Sequence, residues 1–419
     1  CIRDSYIDEL SCTAQPPIDT SRVHGRLGDD IPVYSTTADP DNVWVIYWTA
    51  VARGSLAVVF YDYYPGVGKR RIVVNEIPSY SFETRMRASR PAIHVPLIAL
   101  PKLRRMKDVT ISVKTVKRES TGYIVDSVIG GGEPRVAVIT HHDRWLTGFR
   151  DNSVGILTIL ELARLLQRLR VPARMISFTA EEFGDPSEGS FYWAYGSRVY
   201  SRHLAEELDL AIVVDTAHRE PVEVDCVGID GTGSLVDYVE SVRSDVGIGY
   251  TDAASMVRYG VPTLLFHNLG EIKPVYHTDA DRYPGKQVES TVMKLARSIA
   301  KIAEEFRRGP PIDAYRAYIE RVRRSAPPDV RTRLEACRDF ITLSKCLTKH
   351  FTTLVIEGTY SDLGTQIRLL TYPEVLRGLE AGSEYTILEG DRRLGRSGLD
   401  DFRDDLRAAA EEVVRCCRS

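Results

Sequence analysis

Side-chain amides are almost missing from this 419-residue chain, which holds four asparagines and four glutamines. Scarcity of thermolabile residues predicts a heat-loving source, although 44 arginines against 11 lysines also fit a bias in base composition. Cysteine is sparse too: seven, at 1, 12, 226, 337, 346, 416 and 417, with no C-x-x-C pair. That excludes a disulfide scaffold and a thiolate zinc site, and leaves a bridge within the C-terminal set open. With no N-x-S/T sequon either, the chain leans towards a cytoplasmic rather than a secreted or cell-surface setting. Excess charge of either sign is lacking: 55 basic and 58 acidic residues leave a net charge of −3. No global field therefore draws the chain to nucleic acid or membrane. Long apolar runs are absent as well; the run 210–214 falls far short of the roughly 20 residues that cross a bilayer. The chain begins at Cys1, as it would after signal-peptide removal, after trimming, or at a lipid-bearing cysteine.

What is there is ordinary globular composition, 43% hydrophobic and 27% charged, and length for roughly two to three domains at about 150 residues each. Residues 21–119 alternate short β-type runs (56–61, 92–97, 109–116) with Gly, Pro and charged turns, around one helix at 42–52. This predicts a small β-rich domain. From 120 to 308 the pattern becomes strand, helix, strand, helix. Strands are predicted at 123–129, 136–140, 175–178, 210–214 and 263–266, and helices at 153–170, 195–208, 235–243 and 288–306. In the helix 153–170, Ile156, Leu157, Leu160, Ala163 and Leu166 form the expected apolar face. Short apolar runs alternating with helices argue an α/β fold, a mostly parallel sheet flanked by helices. Gly309-Pro310-Pro311 breaks the chain. Beyond it, 309–419 reads as mainly helical, with helices at 312–324, 330–349 and 400–416.

In open α/β sheets, ligands bind beyond the carboxyl ends of the strands. The residues there are His141-His142-Asp143, Glu181-Glu182, Asp215 and Tyr276-His277, with Asp151-Asn152 just before a helix. Histidines and carboxylates without cysteine suit zinc or a related borderline ion. They are too many for one tetrahedral ion, but would serve two ions ~3.5–4 Å apart that share a carboxylate. A ligating carboxylate is a poor base, so an adjacent Glu pair lets one residue bind and the other take a proton. Taken singly, each has a plainer reading: a solvated Glu pair, a capping Asp, a structural His. His142, His218 and His267 compete as ligands. The Gly228-x-x-Gly231-x-Gly233 run reads as a loop rather than a phosphate cradle, and Phe60, Tyr61, Tyr63 and Tyr64 as a packed strand end.

As a set, His141-x-Asp143, Asp151 with Gly155 four residues later, Ala180-Glu181-Glu182-Phe183-Gly184, Val214-Asp215 and Tyr276-His277-Thr278 resemble the co-catalytic zinc exopeptidases. These include leucyl aminopeptidases, glutamate carboxypeptidase II and the non-catalytic transferrin receptor. The resemblance covers roughly 121–308. It implies that His141 and Asp215 hold one Zn2+, Glu182 and His277 a second, and Asp151 bridges them, with Co2+ or Mn2+ as substitutes. It makes Glu181 the general base, Asp143 a carboxylate that orients the site, and Tyr276 a hydrogen-bond donor to the oxyanion. It also implies a cis peptide bond after Asp151, and places Asp252 and Asp281 near the site, where a turn or cap is the rival reading. The expected activity is removal of N-terminal residues from a peptide substrate. A carboxypeptidase or dipeptidase would use Arg144, Arg150, Arg219 or Arg258 to grip a carboxylate; a single-zinc glutaminyl cyclase and a non-catalytic binder are further alternatives. By the same resemblance, 21–119 is a protease-associated-like domain and 309–419 a helical domain that could form a homodimer. Residues 1–20 are then a remnant of the peptidase domain, with 1–10 the remainder of one of its helices.

Overall fold

The structure is a computed structural model that describes residues 5–12, 19–36, 43–72, 74, 90–115, 120–184, 193–227, 241–243 and 251–309, plus short stretches between 313 and 417. The first strand, β1 (Ser5–Cys12), runs antiparallel to a later one at the edge of the largest sheet. The segment expected to start in a helix is thus a strand, because its backbone groups pair with residues 120–127, which are remote in sequence.

The β-rich region follows. β2 (Asp19–Arg26) pairs antiparallel with β6 (Asp108–Thr115). Between them β3 (Val33–Ser35), β4 (Val58–Tyr61) and β5 (Ala92–Val95) form a parallel sheet in the order β3-β4-β5. Helix α1 (Val43–Ala52) buries Val43, Tyr47 and Ala50 against Val58 and Phe60 of β4. The other face of β4 packs Ala57 and Val59 on Ile31 and Ile111, so alternate residues of one strand fill two small cores.

The large sheet contains β7 (Ser120–Ile129), β8 (Val136–His141), β9 (Ala173–Phe178), β10 (Leu210–Val214), β11 (Val222–Val227), β12 (Ser241–Arg243) and β13 (Thr263–His267). Its order is β1-β7-β9-β8-β10-β13-β11-β12. The heart, β9-β8-β10-β13, is parallel throughout, and antiparallel partners flank it on both sides. Every residue of β8 and β10 is buried, which is why 136–139 and 210–214 read as unbroken apolar runs. Helices α2 (Val154–Leu169) and α5 (Gln287–Arg308) cover one face, packing Leu162, Leu166, Leu295 and Ile299 on Val138 and Ile212. Helices α3 (Tyr195–Leu204) and α4 (Asp252–Arg258) cover the other, packing Leu204 and Met256 on Ile139 and Val213. This is the α/β architecture expected from the sequence.

Three expectations change. The core-facing side of α2 is Val154, Thr158, Ile159, Leu162 and Leu166, whereas Leu157 and Leu160 are exposed. The helix has apolar residues on two sides, and the close seating of Gly155 on Thr140 decides which one faces inward. Ser241–Arg243 is a strand beside β11 rather than a helix end; residues 228–240 lie outside the described set. In the C-terminal part, a helix at Pro328–Leu334 and helical residues 341–346 are separate, because Asp339 Oδ1 accepts from the amides of Ile341 and Thr342 and caps a new start. Residues 313, 316, 320 and 323, and 411 and 414–416, are helical as expected, and most of 309–419 falls outside the described residues. A disulfide joins Cys346 to Cys416. Among the described residues, no helix is long and apolar enough to cross a membrane.

Candidate metal centre

The parallel strands deliver their polar ends to one edge. His141 is the last residue of β8, Asp215 follows β10, and Glu181 and Glu182 follow β9. Asp151 precedes α2, and His277 sits in the loop between β13 and α5. Two groups form: His141, Asp151 and Asp215, and Asp151, Glu182 and His277. Asp151 belongs to both. Its Oδ1 lies 3.4 Å from His141 Nε2 and its Oδ2 3.4 Å from His277 Nε2. Asp215 Oδ1 is 3.6 Å from His141 Nε2, and Glu182 Oε2 is 2.7 Å from His277 Nε2. Glu181 belongs to neither group, yet its Oε2 is 4.0 Å from His141 Nε2.

Neighbouring polar groups fix these side chains. Asp143 Oδ1 and Oδ2 accept from the amides of Glu181 and Glu182, at 3.2 and 3.0 Å, and set the turn that carries both glutamates. The peptide bond Asp151–Asn152 is cis. Asn152 Nδ2 donates to Thr140 Oγ1 and to the Val214 carbonyl, both at 3.0 Å, while its Oδ1 accepts from the amides of Gly155 and Thr216. One buried amide thereby ties β8, α2 and the end of β10 together. Asp281 accepts from the amides of Arg150 and Asp151 and from the Arg150 guanidinium. A Cβ at Gly155 would lie 2.1 Å from Thr140 Oγ1 and 2.6 Å from Asn152 Oδ1. Gly155→Ala should therefore cost about 1–3 kcal/mol through overpacking, read as a lower urea midpoint of the metal-free chain. An unchanged midpoint would mean that Asn152 is not held as described.

Electrostatics point the same way. Burial, together with the Asp151 charge, pushes Glu182 up to about 7, with His277 pulling the other way. Glu181 is driven well above the carboxylate range by burial and by the charges of Asp252, Asp215 and Glu182, against the pull of His141. Burial opposes a charge on His277, but Glu182 and Asp151 raise it to about 9. His141 is likewise raised against burial, chiefly by Glu181 and Asp215. Crowded carboxylates away from water demand positive charge. His141 Nδ1 donates to the Asp143 carbonyl, so a divalent cation that displaced the proton from Nε2 would meet its lone pair among the carboxylates. His141 Nε2, His277 Nε2, Glu182 Oε1 and Asp215 Oδ1 are all buried without a hydrogen-bond partner. Unsatisfied lone pairs of this kind, aimed at shared points, suit borderline divalent cations.

Residues 124–302 match peptidase family M28, and that segment holds all five residues of the two groups. The segment is similar to the M28 peptidases, and the chain is a metallopeptidase. Among solved structures, an M28 peptidase precursor from Shewanella amazonensis is 15% identical, with 72% of this chain and 83% of that chain covered and a TM-score of 0.51. The zinc aminopeptidase BSAP from Bacillus subtilis is 16% identical over 71% of this chain and 84% of its own, with a TM-score of 0.48. A glutaminyl cyclase from Bacteroides thetaiotaomicron is 17% identical over 43% and 76%, at 0.36. No curated protein matches the chain.

Within the matched segment, the rival histidines are engaged elsewhere. His142 is exposed and meets Ser177 Oγ, His218 Nδ1 donates to the Thr216 carbonyl, and His267 lies 3.2 Å from Asp225 on the far side of β13. Tyr276 stacks on His277, with ring centroids 3.6 Å apart. Asp252 is buried at the start of α4, where burial pushes it up to about 7, with Asp215 and Asp143 adding to the rise. Arg70 escaped the sequence reading, and Asn152 was placed beside Asp151 but given no role. Asn152 did leave a signal, as one of only four asparagines in a chain that otherwise avoids them.

Proposed function

We propose that the chain is an aminopeptidase that hydrolyses N-terminal residues from peptides with two zinc ions, replaceable by Co2+ or Mn2+. The observation that carries the reading is Asp151, whose two carboxylate oxygens each face a different histidine. His141 and Asp215 would hold one ion, Glu182 and His277 the other, and Asp151 both. Bound there, the ions would supply Lewis acidity and a water acidic enough to ionise near neutrality. Glu181 takes the proton from the attacking water and returns it to the leaving amine. Its raised affinity for protons, from burial first and neighbouring carboxylates next, suits that shuttle. Asp143 keeps Glu181 and Glu182 in register by accepting both amides, and Tyr276 donates to the developing oxyanion. The acidic surroundings of Glu181, Asp215 and Asp252 favour a substrate α-ammonium. Residues 21–119 would form the protease-associated-like domain, and 309–419 a mainly helical domain able to pair two copies.

One observation favours the opposite polarity. The Arg71 guanidinium lies 3.4 Å from His277 Nδ1 and over the Trp145 ring, where it could grip a substrate carboxylate. Cleavage of amino-blocked and carboxyl-blocked peptides separates the two readings. The expected result is hydrolysis of aminoacyl-arylamides and carboxyl-blocked peptides, lost on chelation and restored by zinc. Cleavage confined to amino-blocked peptides would overturn the aminopeptidase reading.

A further inference from the structure

His277 adopts a left-handed backbone, φ 54°, which is unfavourable for a residue with a Cβ. Something must hold it there, and the grip comes from the β-rich region. Arg70 Nη1 donates to the Tyr276 carbonyl at 2.8 Å and to the Lys273 carbonyl at 3.5 Å, and Nη2 donates to the Pro274 carbonyl at 2.9 Å. The amide of Arg71 donates to the His277 carbonyl at 2.9 Å. The amides of Gly68 and Lys69 both donate to Asp279 Oδ1 at 3.0 Å. Arg70 also forms an isolated antiparallel bridge with Thr278. The loop before α5 is thus bound on both sides of His277.

Arg70 is itself buried and anchored. Its Nε donates to Asp62 Oδ2 at 2.8 Å, and Nη2 reaches Asp62 Oδ1 at 3.3 Å. Asp62 is fully buried just beyond β4. Its Oδ2 also meets His94 Nε2 at 2.9 Å, its Oδ1 accepts from the Tyr64 amide, and its own amide donates to the Val95 carbonyl. A bidentate guanidinium–carboxylate pair has fixed geometry, so the parallel sheet β3-β4-β5 sets where Arg70 points. The remaining donors of the same planar fork then fix three carbonyls of the His277 loop.

We infer that Arg70 is a positioning residue for a metal ligand: through the buried Asp62–Arg70 clamp, the β-rich region sets the affinity of the metal position that includes His277. This rests on the reading that His277 holds one of two ions. The β-rich region is then a working part of the metal centre, and one metal position depends on it while the His141–Asp215 position does not.

Zinc titration into the metal-free full chain, in competition with a chromophoric chelator, tests this. Wild type should take up two equivalents. Arg70→Lys keeps a cation beside Asp62, but a single ammonium cannot serve the carboxylate and three carbonyls together. One equivalent should weaken on the order of 10–100-fold, as for other residues that orient metal ligands, and the other should stay unchanged. In a His277→Ala background, Arg70→Lys should have no further effect on the remaining equivalent. If Arg70→Lys fails to fold, Asp279→Ala, which removes the caps on Gly68 and Lys69, should weaken the same equivalent. Wild-type affinities in the folded variants, or equal weakening of the remaining site in the His277→Ala background, would overturn the clamp. Fewer than two equivalents in wild type would remove the two-ion reading and the clamp with it.

Discussion

Glu181→Gln should lower turnover by about 10²–10⁴-fold, the usual worth of a positioned general base, while metal content and melting temperature stay at wild-type values. The substitution is nearly isosteric, and it leaves the backbone contacts of Glu181 untouched: its amide still donates to Asp143, and its carbonyl still accepts from Ala194. What changes is the ability to accept and release a proton beside His141. Single-turnover kinetics with elemental analysis of the same sample would measure both quantities. A variant that turns over normally with full metal would end the base assignment, and a variant that loses metal would make Glu181 a ligand.

Metal content should fall in unequal steps. His277→Ala removes a group that only the Glu182 side uses, so about one equivalent should be lost. Asp151→Ala removes the carboxylate common to both groups and should strip the second equivalent as well. It would also remove the carboxylate that lies 3.4 Å from both His141 and His277 and that the two rings, against the cost of burial, hold below the usual carboxylate range. Elemental analysis after dialysis against dilute zinc reads this directly. Equal losses in the two variants would contradict a bridging role.

Much of the layered fold was legible in the sequence, for a physical reason. Strands covered on both faces are apolar along most of their length, so 136–139 in β8, all of β10 and 264–266 in β13 stand out as short apolar runs. The polar residues that follow each run mark the edge where the chain emerges. The less apolar pieces were harder. The alternation in β1 and the brevity of β12 carry little information, and both are strands only because a distant neighbour offers backbone groups to pair with. In α2 the apolar pattern allowed two orientations. Leu157 and Leu160 lost to Ile159 and Leu162 because Gly155 and Thr158 allow the closer approach to the sheet.

The sequence by itself determined the α/β class and which residue types meet at the strand ends, since local periodicity and strand-end position are properties of short segments. Only the tertiary structure decided that Asp151 turns one oxygen to each histidine, that Asn152 joins β8, α2 and β10, and that Arg70 reaches from the β-rich region to the His277 loop. Several of those contacts join residues 62 to 208 positions apart, and the others turn on side-chain direction. Neither distance nor direction is written in the order of residues; both arise when the sheet twists, the layers pack and the loops close over one edge.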